Sequence, residues 1–208
     1  MGKLSLYIVD TETTNFSTEG DVIEASFYRL EDGEQRTWFL KAMNPEAITQ
    51  EALDVNGHKL EDITWQTKEG KEKYRLPKEV LPEIENWIYD DNRSKLDRVM
   101  VGHNVEFDYR HLLALWEKSN CQDTFPFGFN TIDTKVLALF FDWVQNDNSR
   151  RYNLSNIVKR LKIMKRKFHT AEGDVLMTVD LLNYMYKFFS ELIENSKEPL
   201  VLFGEEIE

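Results

Sequence analysis

The stretch Tyr7-Ile8-Val9-Asp10-Thr11-Glu12-Thr13-Thr14 decides how the rest of this 208-residue chain is read. A short apolar run ends by delivering two carboxylates, two residues apart. In a strand, residues i and i+2 project from one face, so Asp10 and Glu12 stand side by side at the strand's exit. Carboxylates that close raise each other's proton affinity unless positive charge lies between them, and a divalent cation meets that need. Taken alone, Asp-x-Glu after a strand more often serves a turn or a helix cap. Its chemistry therefore depends on what the remainder of the chain brings beside it.

A length of 208 residues with 41% hydrophobic and 12% aromatic content suits one compact domain with a substantial core. No run approaches the ~18 apolar residues of a membrane span. Met1-Gly2-Lys3-Leu4 passes directly into a strand without the apolar region of a signal peptide, so a cytoplasmic protein with no membrane partner is expected. Cys121 is the only cysteine, which excludes an intrachain disulfide framework and a thiolate metal site. The net charge of −11 argues against a generic nucleic-acid coat, because sequence-independent phosphate binding needs clustered cations. Even so, Arg150, Arg151, Lys159, Arg160, Lys162, Lys165, Arg166 and Lys167 occur without an intervening acid. Most of these suit a solvated helix face, with phosphate tracking open to a few.

Residues 4 to 10 read as a buried first strand, 21 to 30 as a second, and 36 to 42 as a third, with a hairpin at Glu31-Asp32-Gly33-Glu34. Residues 44 to 64 read as short helical pieces with a turn at Asn56-Gly57, and 67 to 74 as a charged, exposed loop. Val80, Leu81, Ile84, Trp87 and Ile88 recur at helical spacing over residues 77 to 89. An interior strand is expected at 98 to 102 and a further strand at 131 to 133, each handing over to a helix. Asn153 and Ser155 can cap a basic helix over 154 to 161, and a long helix follows from about 173 to 194. This order implies an α/β fold, a mixed five-stranded sheet with helices packed on it.

Two further segments carry acids at element ends. Asp108 closes His103-Asn104-Val105-Glu106-Phe107-Asp108 beyond an interior strand, where ligand sites gather in α/β sheets. His169-Thr170-Ala171-Glu172-Gly173-Asp174 opens the last helix, and a histidine near neutral pKa suits proton transfer from water. Alone, Asp108 serves its own helix's first turn and a lone histidine is more often structural.

Asp-x-Glu after an apolar strand, Asn-x-x-Phe-Asp after an interior strand and His-x-Ala-x-x-Asp opening a C-terminal helix, in this order, resemble the DEDDh exonucleases. These are the DnaQ-like, proofreading-type 3′-to-5′ exonucleases, which include the ε subunit of DNA polymerase III, oligoribonuclease and RNase T. The resemblance runs from Leu6 to about Tyr186, and Val55-Asn56-Gly57 and Ile132-Asp133-Thr134 add weaker matches. Asn15 stands where many members carry glycine, Asn56 where polymerase-associated members carry histidine, and Val175 where alanine is frequent. Asparagine is the next-best residue should the position require a left-handed turn.

The resemblance implies an RNase H-like fold with helices on both sides of the sheet, an exonuclease domain over residues 1–195 and a tail over 196–208. It also implies that Asp10, Glu12, Asp108 and Asp174 hold two divalent cations. An all-oxygen donor set suits Mg²⁺ or Mn²⁺. Asp10, Glu12 and Asp174 would hold the cation that carries the attacking water, Asp10 would share the second, and Asp108 would position the pair. His169 would be the general base, with nucleoside 5′-monophosphates released. Thr13, Thr14, Phe16, Asn104 and Phe107 are the expected contacts to the 3′-terminal nucleotide, the aromatic rings by stacking. The expected substrate is a single-stranded or frayed 3′ end, DNA ahead of RNA. An exoribonuclease and a non-catalytic polymerase accessory module stay open as alternatives. The apolar tail segment Pro199-Leu200-Val201-Leu202-Phe203 either folds back on the domain or docks on a polymerase partner such as a sliding clamp.

Overall fold

The computed structural model describes residues 4–146, 151–163 and 170–195. Five strands, β1 (Ser5–Thr13), β2 (Val22–Arg29), β3 (Glu34–Phe39), β4 (Arg98–Gly102) and β5 (Thr131–Asp133), form one sheet in the order β3-β2-β1-β4-β5. The first three are antiparallel neighbours, while β4 pairs parallel with β1 and β5 parallel with β4. Parallel pairing makes β1 and β4 end on the same side of the sheet, where ligand sites collect in such folds.

The helices are α1 (Gln50–Asn56), α2 (Leu60–Ile63), α3 (Lys68–Lys73), α4 (Pro77–Tyr89), α5 (Val105–Lys118), α6 (Thr134–Val144), α7 (Leu154–Arg160) and α8 (Ala171–Asn195). They cover both faces of the sheet, and the period-two alternation of β1 decides which residue meets which layer. Tyr7 and Val9 join Phe27 and Met100 in a core with Val80, Ile84 and Trp87 of α4 and Val105, Leu112 and Trp116 of α5. Ile8 points the other way and packs with Val101 against Val175 and Val179 of α8. Fully burying each such side chain contributes roughly 1.5 to 3 kcal/mol, and the T-shaped contact of Tyr7 with Trp87 adds to the first layer. Ala138 of α6, Ile157 of α7, and Leu181 and Met185 of α8 form a smaller cluster beside the sheet.

The α/β architecture with its mixed five-stranded sheet agrees with the sequence reading. Three local differences have physical reasons. First, β1 continues beyond Asp10 to Thr13, because β2 is long enough to pair Thr11, Glu12 and Thr13 with Ala25, Glu24 and Val22. Second, residues 68–73 are helical rather than an exposed loop: the Thr67 hydroxyl accepts from Gly70 N–H, Gly70 lies against the backbone of Asp62, and Tyr74 is buried. Third, Asn15 needs no left-handed backbone, because its side chain closes the turn instead, accepting from Ser17 N–H and donating to Ala47 O. Asn153 does cap α7, accepting from Asn156 N–H, whereas Ser155 donates its hydroxyl to Asn153 rather than to the helix. Among the described residues no helix is long and apolar enough to cross a membrane.

A buried ion pair ties the start of β4 to the chain after α4. Arg98 meets Asp91 at 2.7 Å with side chains 3% and 1% exposed, and Asp91 also accepts from the Tyr7 hydroxyl of β1. Replacing Arg98 by methionine leaves an uncompensated buried carboxylate. Chemical denaturation of Arg98→Met should show a loss of about 3 to 5 kcal/mol, the scale for breaking a buried pair from one side.

Candidate active site

The alternation that sorts the core also sorts the acids. Asp10 and Glu12 follow Ile8 onto the face covered by α8, and α8 presents Asp174 on its first turn. One carboxylate oxygen from each of Asp10, Glu12 and Asp174 lies within 4.8 Å of the other two. The helix N-terminus is itself favourable for the charge of Asp174.

Thr11, between the two acids, points to the opposite layer and meets Asp108 on the first turn of α5. Both its backbone N–H and its hydroxyl donate to Asp108 Oδ1, at 2.9 and 2.8 Å. Asp108 is carried there by a tight corner after β4. Gly102 approaches Val9 O and the Val105 side chain so closely that a Cβ would lie 3.2 and 3.0 Å from them. Asn104 then takes a left-handed backbone with φ 73° and donates its N–H to Asp133 Oδ1, the same oxygen that caps α6. Asparagine tolerates that conformation.

The electrostatics follow from the crowding. Removal from water, then the charges of Asp108, Asp174, Glu12 and Glu24, push the Asp10 carboxyl well above the usual carboxylate range. Burial, then Asp174, Glu24 and Asp108, push Glu12 up to about 8. Burial raises Asp108 to about 7 against the pull of the two Thr11 hydrogen bonds. Neither Asp10 nor Glu12 has an ion-pair partner among the described residues. Close-set oxygen donors that hold protons for want of a counter-charge are a fitting donor set for a hard divalent cation.

The expected substrate contacts divide. Phe16, Asn104 and Phe107 line one open cleft of about 420 Å³ with Ser17, Arg110 and His111, and Phe107 packs on the His111 ring at 4.1 Å. Phe16 is exposed and Phe107 half-buried, so both rings have a face to offer. Thr13 and Thr14 are not in that cleft. The Thr13 hydroxyl donates to Asn15 O and the Thr14 hydroxyl accepts from Asp21 N–H, with Thr14 sealed in the interior. Their side chains shape the turn that presents Phe16. His169 lies outside the described residues, as do Arg150, Lys165, Arg166, Lys167 and the tail from 196 to 208. Of the described cations in the basic run, Arg160 pairs with Asp142 of α6, and Arg151, Lys159 and Lys162 are exposed.

The sequence reading missed Thr11, which orients Asp108, and Glu24, His58 and Tyr74, which lie behind Glu12. Glu24 stands opposite Glu12 in the β1–β2 ladder, so a register count across the hairpin is the signal that locates it.

The proton balance has a measurable consequence. Glu12 has an ordinary value of 4.5, which the unfolded chain keeps, against about 8 in the fold, so the folded state holds the extra proton between those limits. Its contribution to stability is complete below the lower value and is lost as pH rises through the upper one. The metal-free Tm should therefore fall on going from pH 5 to pH 9 by roughly this linkage, and Mn²⁺ should raise Tm most at the alkaline end. Asp10→Asn should raise the metal-free Tm and remove the Mn²⁺ effect; a Tm that is flat with pH contradicts the cluster's electrostatics.

No family model matches the chain. It is 29% identical over 190 residues to the PolC-type DNA polymerase III of Latilactobacillus sakei, covering 90% of this chain and 11% of that protein. To the PolC-type polymerase of Thermotoga maritima it is 26% identical over 181 residues, covering 86% and 12%. The chain thus spans about a tenth of the length of these curated relatives. The fold superposes on Escherichia coli exonuclease I, in a zinc-bound complex with single-stranded DNA, with TM-score 0.72 and 15% identity over 93% of this chain and 42% of that one. It also superposes on the nuclease domain of 3′hExo, a DEDDh family member bound to rAMP, with TM-score 0.68 and 12% identity over 88% and 92%. With its acids carried on β1, α5 and α8, the chain has the RNase H-like fold of these exonucleases, and its sequence is similar to a segment of the PolC-type DNA polymerases.

Proposed function

We propose that this chain removes mononucleotides from single-stranded or frayed 3′ ends of DNA by divalent-cation-dependent hydrolysis. The observation that carries this reading is the meeting of Asp10, Glu12 and Asp174 in one cluster of oxygen donors. Asp10, Glu12 and Asp174 would hold one Mg²⁺ or Mn²⁺ and Asp10 with Asp108 a second, and such ions supply charge neutralisation of the scissile phosphate and an activated water. Phe16 and Phe107 grip the terminal base by stacking, which tolerates any sequence, and Asn104 offers hydrogen bonds at the cleft floor. Thr11 keeps Asp108 in one orientation through two hydrogen bonds to Oδ1. His169, five residues before Asp174 in the chain, takes the proton from the attacking water as general base. Products leave as nucleoside 5′-monophosphates.

Residues 1–195 make up the exonuclease domain in this reading and 196–208 a tail, in the cytoplasm. DNA is preferred as substrate because the sequence relatives are DNA polymerases. A ribonucleotide sits in the 3′hExo neighbour, which makes an exoribonuclease the second reading. A non-catalytic accessory module is disfavoured by the retention of all four carboxylates.

Digestion of 3′-labelled single-stranded, paired and mispaired DNA beside matched RNA, with Mg²⁺ or Mn²⁺, separates these readings. Wild type should degrade single-stranded and mispaired DNA fastest. Asp10→Ala and Asp174→Ala should lose activity while remaining folded by circular dichroism, and full activity in either overturns the site. His169→Ala should slow the chemical step by roughly 10²-fold or more, and an unchanged rate across pH removes it from the mechanism.

A further inference from the structure

Glu24 faces Glu12 directly across the β1–β2 ladder, so both side chains start on the same face of the sheet. Like charges placed directly opposite one another are destabilising. The Glu24 carboxylate is engaged by two donors outside the cluster. His58 Nε2 donates to its Oε2 at 3.0 Å, and the backbone N–H of Glu172 donates to its Oε1 at 3.4 Å. A carboxylate only accepts, so the proton sits on Nε2, and in the neutral ring Nδ1 accepts from the Tyr74 hydroxyl, 2.6 Å away. The side chains of His58 and Glu24 are 6% and 4% exposed, which seals this chain of bonds from water.

Glu172 is the second residue of α8 and lies two before Asp174. Its carbonyl is held as well, by Gln35 Nε2 at 3.0 Å, and Gln35 also donates to Ser26 Oγ. The first turn of α8 is thus gripped at both its amide and its carbonyl by side chains of β2 and β3. An N–H of that turn, which no helical carbonyl satisfies, is spent on Glu24. With these bonds in place the turn cannot slide along the sheet, and Asp174 stays at a set distance from β1.

We propose that Glu24, held by His58 and Tyr74, is a positioning residue that fixes Asp174 against Asp10 and Glu12 and thereby sets the affinity of the cluster for divalent cations. This rests on the reading of the cluster as a cation site. Residues that orient ligands from behind typically change metal affinity by about 10- to 100-fold when altered.

The test is equilibrium Mn²⁺ binding, by calorimetry or by the electron spin resonance of free Mn²⁺, on the full chain without nucleic acid. Glu24→Gln keeps the shape but turns an amide NH₂ toward either His58 or the Glu172 N–H, and its Mn²⁺ affinity should fall roughly 10-fold or more. Tyr74→Phe keeps the Glu24 charge and removes only the hydroxyl that holds His58; its affinity should fall in the same direction by a smaller factor. It also serves should Glu24→Gln fail to fold. A purely structural role would lower Tm and leave the Mn²⁺ affinity unchanged. Affinities within roughly twofold of wild type in both variants overturn the proposal, and so does a loss in Glu24→Gln with none in Tyr74→Phe, which would make charge rather than geometry responsible. Asp10→Ala is the control that binds no Mn²⁺. If wild type itself shows no saturable binding, the cluster reading falls and the positioning role with it; binding by wild type with unaltered variants overturns the positioning role alone.

Discussion

The crowding of like charges at the end of β1 is the constraint around which the rest of the molecule is arranged. Strand geometry leaves no choice about it. Once Ile8 is committed to the layer under α8, Asp10 and Glu12 follow onto that face, and Glu24 arrives opposite Glu12 through the β2 register. The fold tolerates this by three means. Burial and the neighbouring charges push the carboxyls of Asp10 and Glu12 up, which favours their protonated forms. Asp108 is drawn to the Thr11 side of the strand by two hydrogen bonds. Glu24 is bound to His58 and to the first turn of α8. What remains is a cluster of oxygen donors suited to a cation.

Rigid elements set the geometry. β1 is a central strand paired on both sides, so the backbone at Asp10 has little freedom. Asp108 sits on a helix whose entry is determined by the close approach of Gly102 to β1 and by the left-handed Asn104. Asp174 sits on a helix pinned to two strands through Glu172. The cleft lined by Phe16 and Phe107 is built on more exposed chain.

Much of this was legible in the sequence because apolar periodicity and punctuation are local. Strands 98–102 and 131–133 and the helix over 77–89 were readable from runs of Val, Met and Ile and from spaced Leu, Ile and Trp. So was the mixed sheet, and the three acidic segments stood out by type and order. What escaped is what depends on contacts between distant segments. The helix over 68–73 looked like a polar loop because its support, Gly70 on Asp62 and the buried Tyr74, comes from tertiary packing. The partners of the Thr13 and Thr14 hydroxyls, Asn15 and Asp21, could not be read from the sequence either, because a hydroxyl's partner is not fixed by its own neighbourhood. Glu24 and His58 were passed over for the same reason, since nothing local tells a strand glutamate that will meet a histidine 34 residues later.

The central claim is that the carboxylates of this cluster hold protons until a cation replaces them. Calorimetric titration of Mn²⁺ into the metal-free protein at pH 7, repeated in buffers of different ionisation enthalpy, counts the protons displaced. Glu12, raised to about 8, must lose its proton on binding, so the account predicts release of about one proton per chain, absent in Asp10→Asn. Saturable Mn²⁺ binding with no proton release would contradict it.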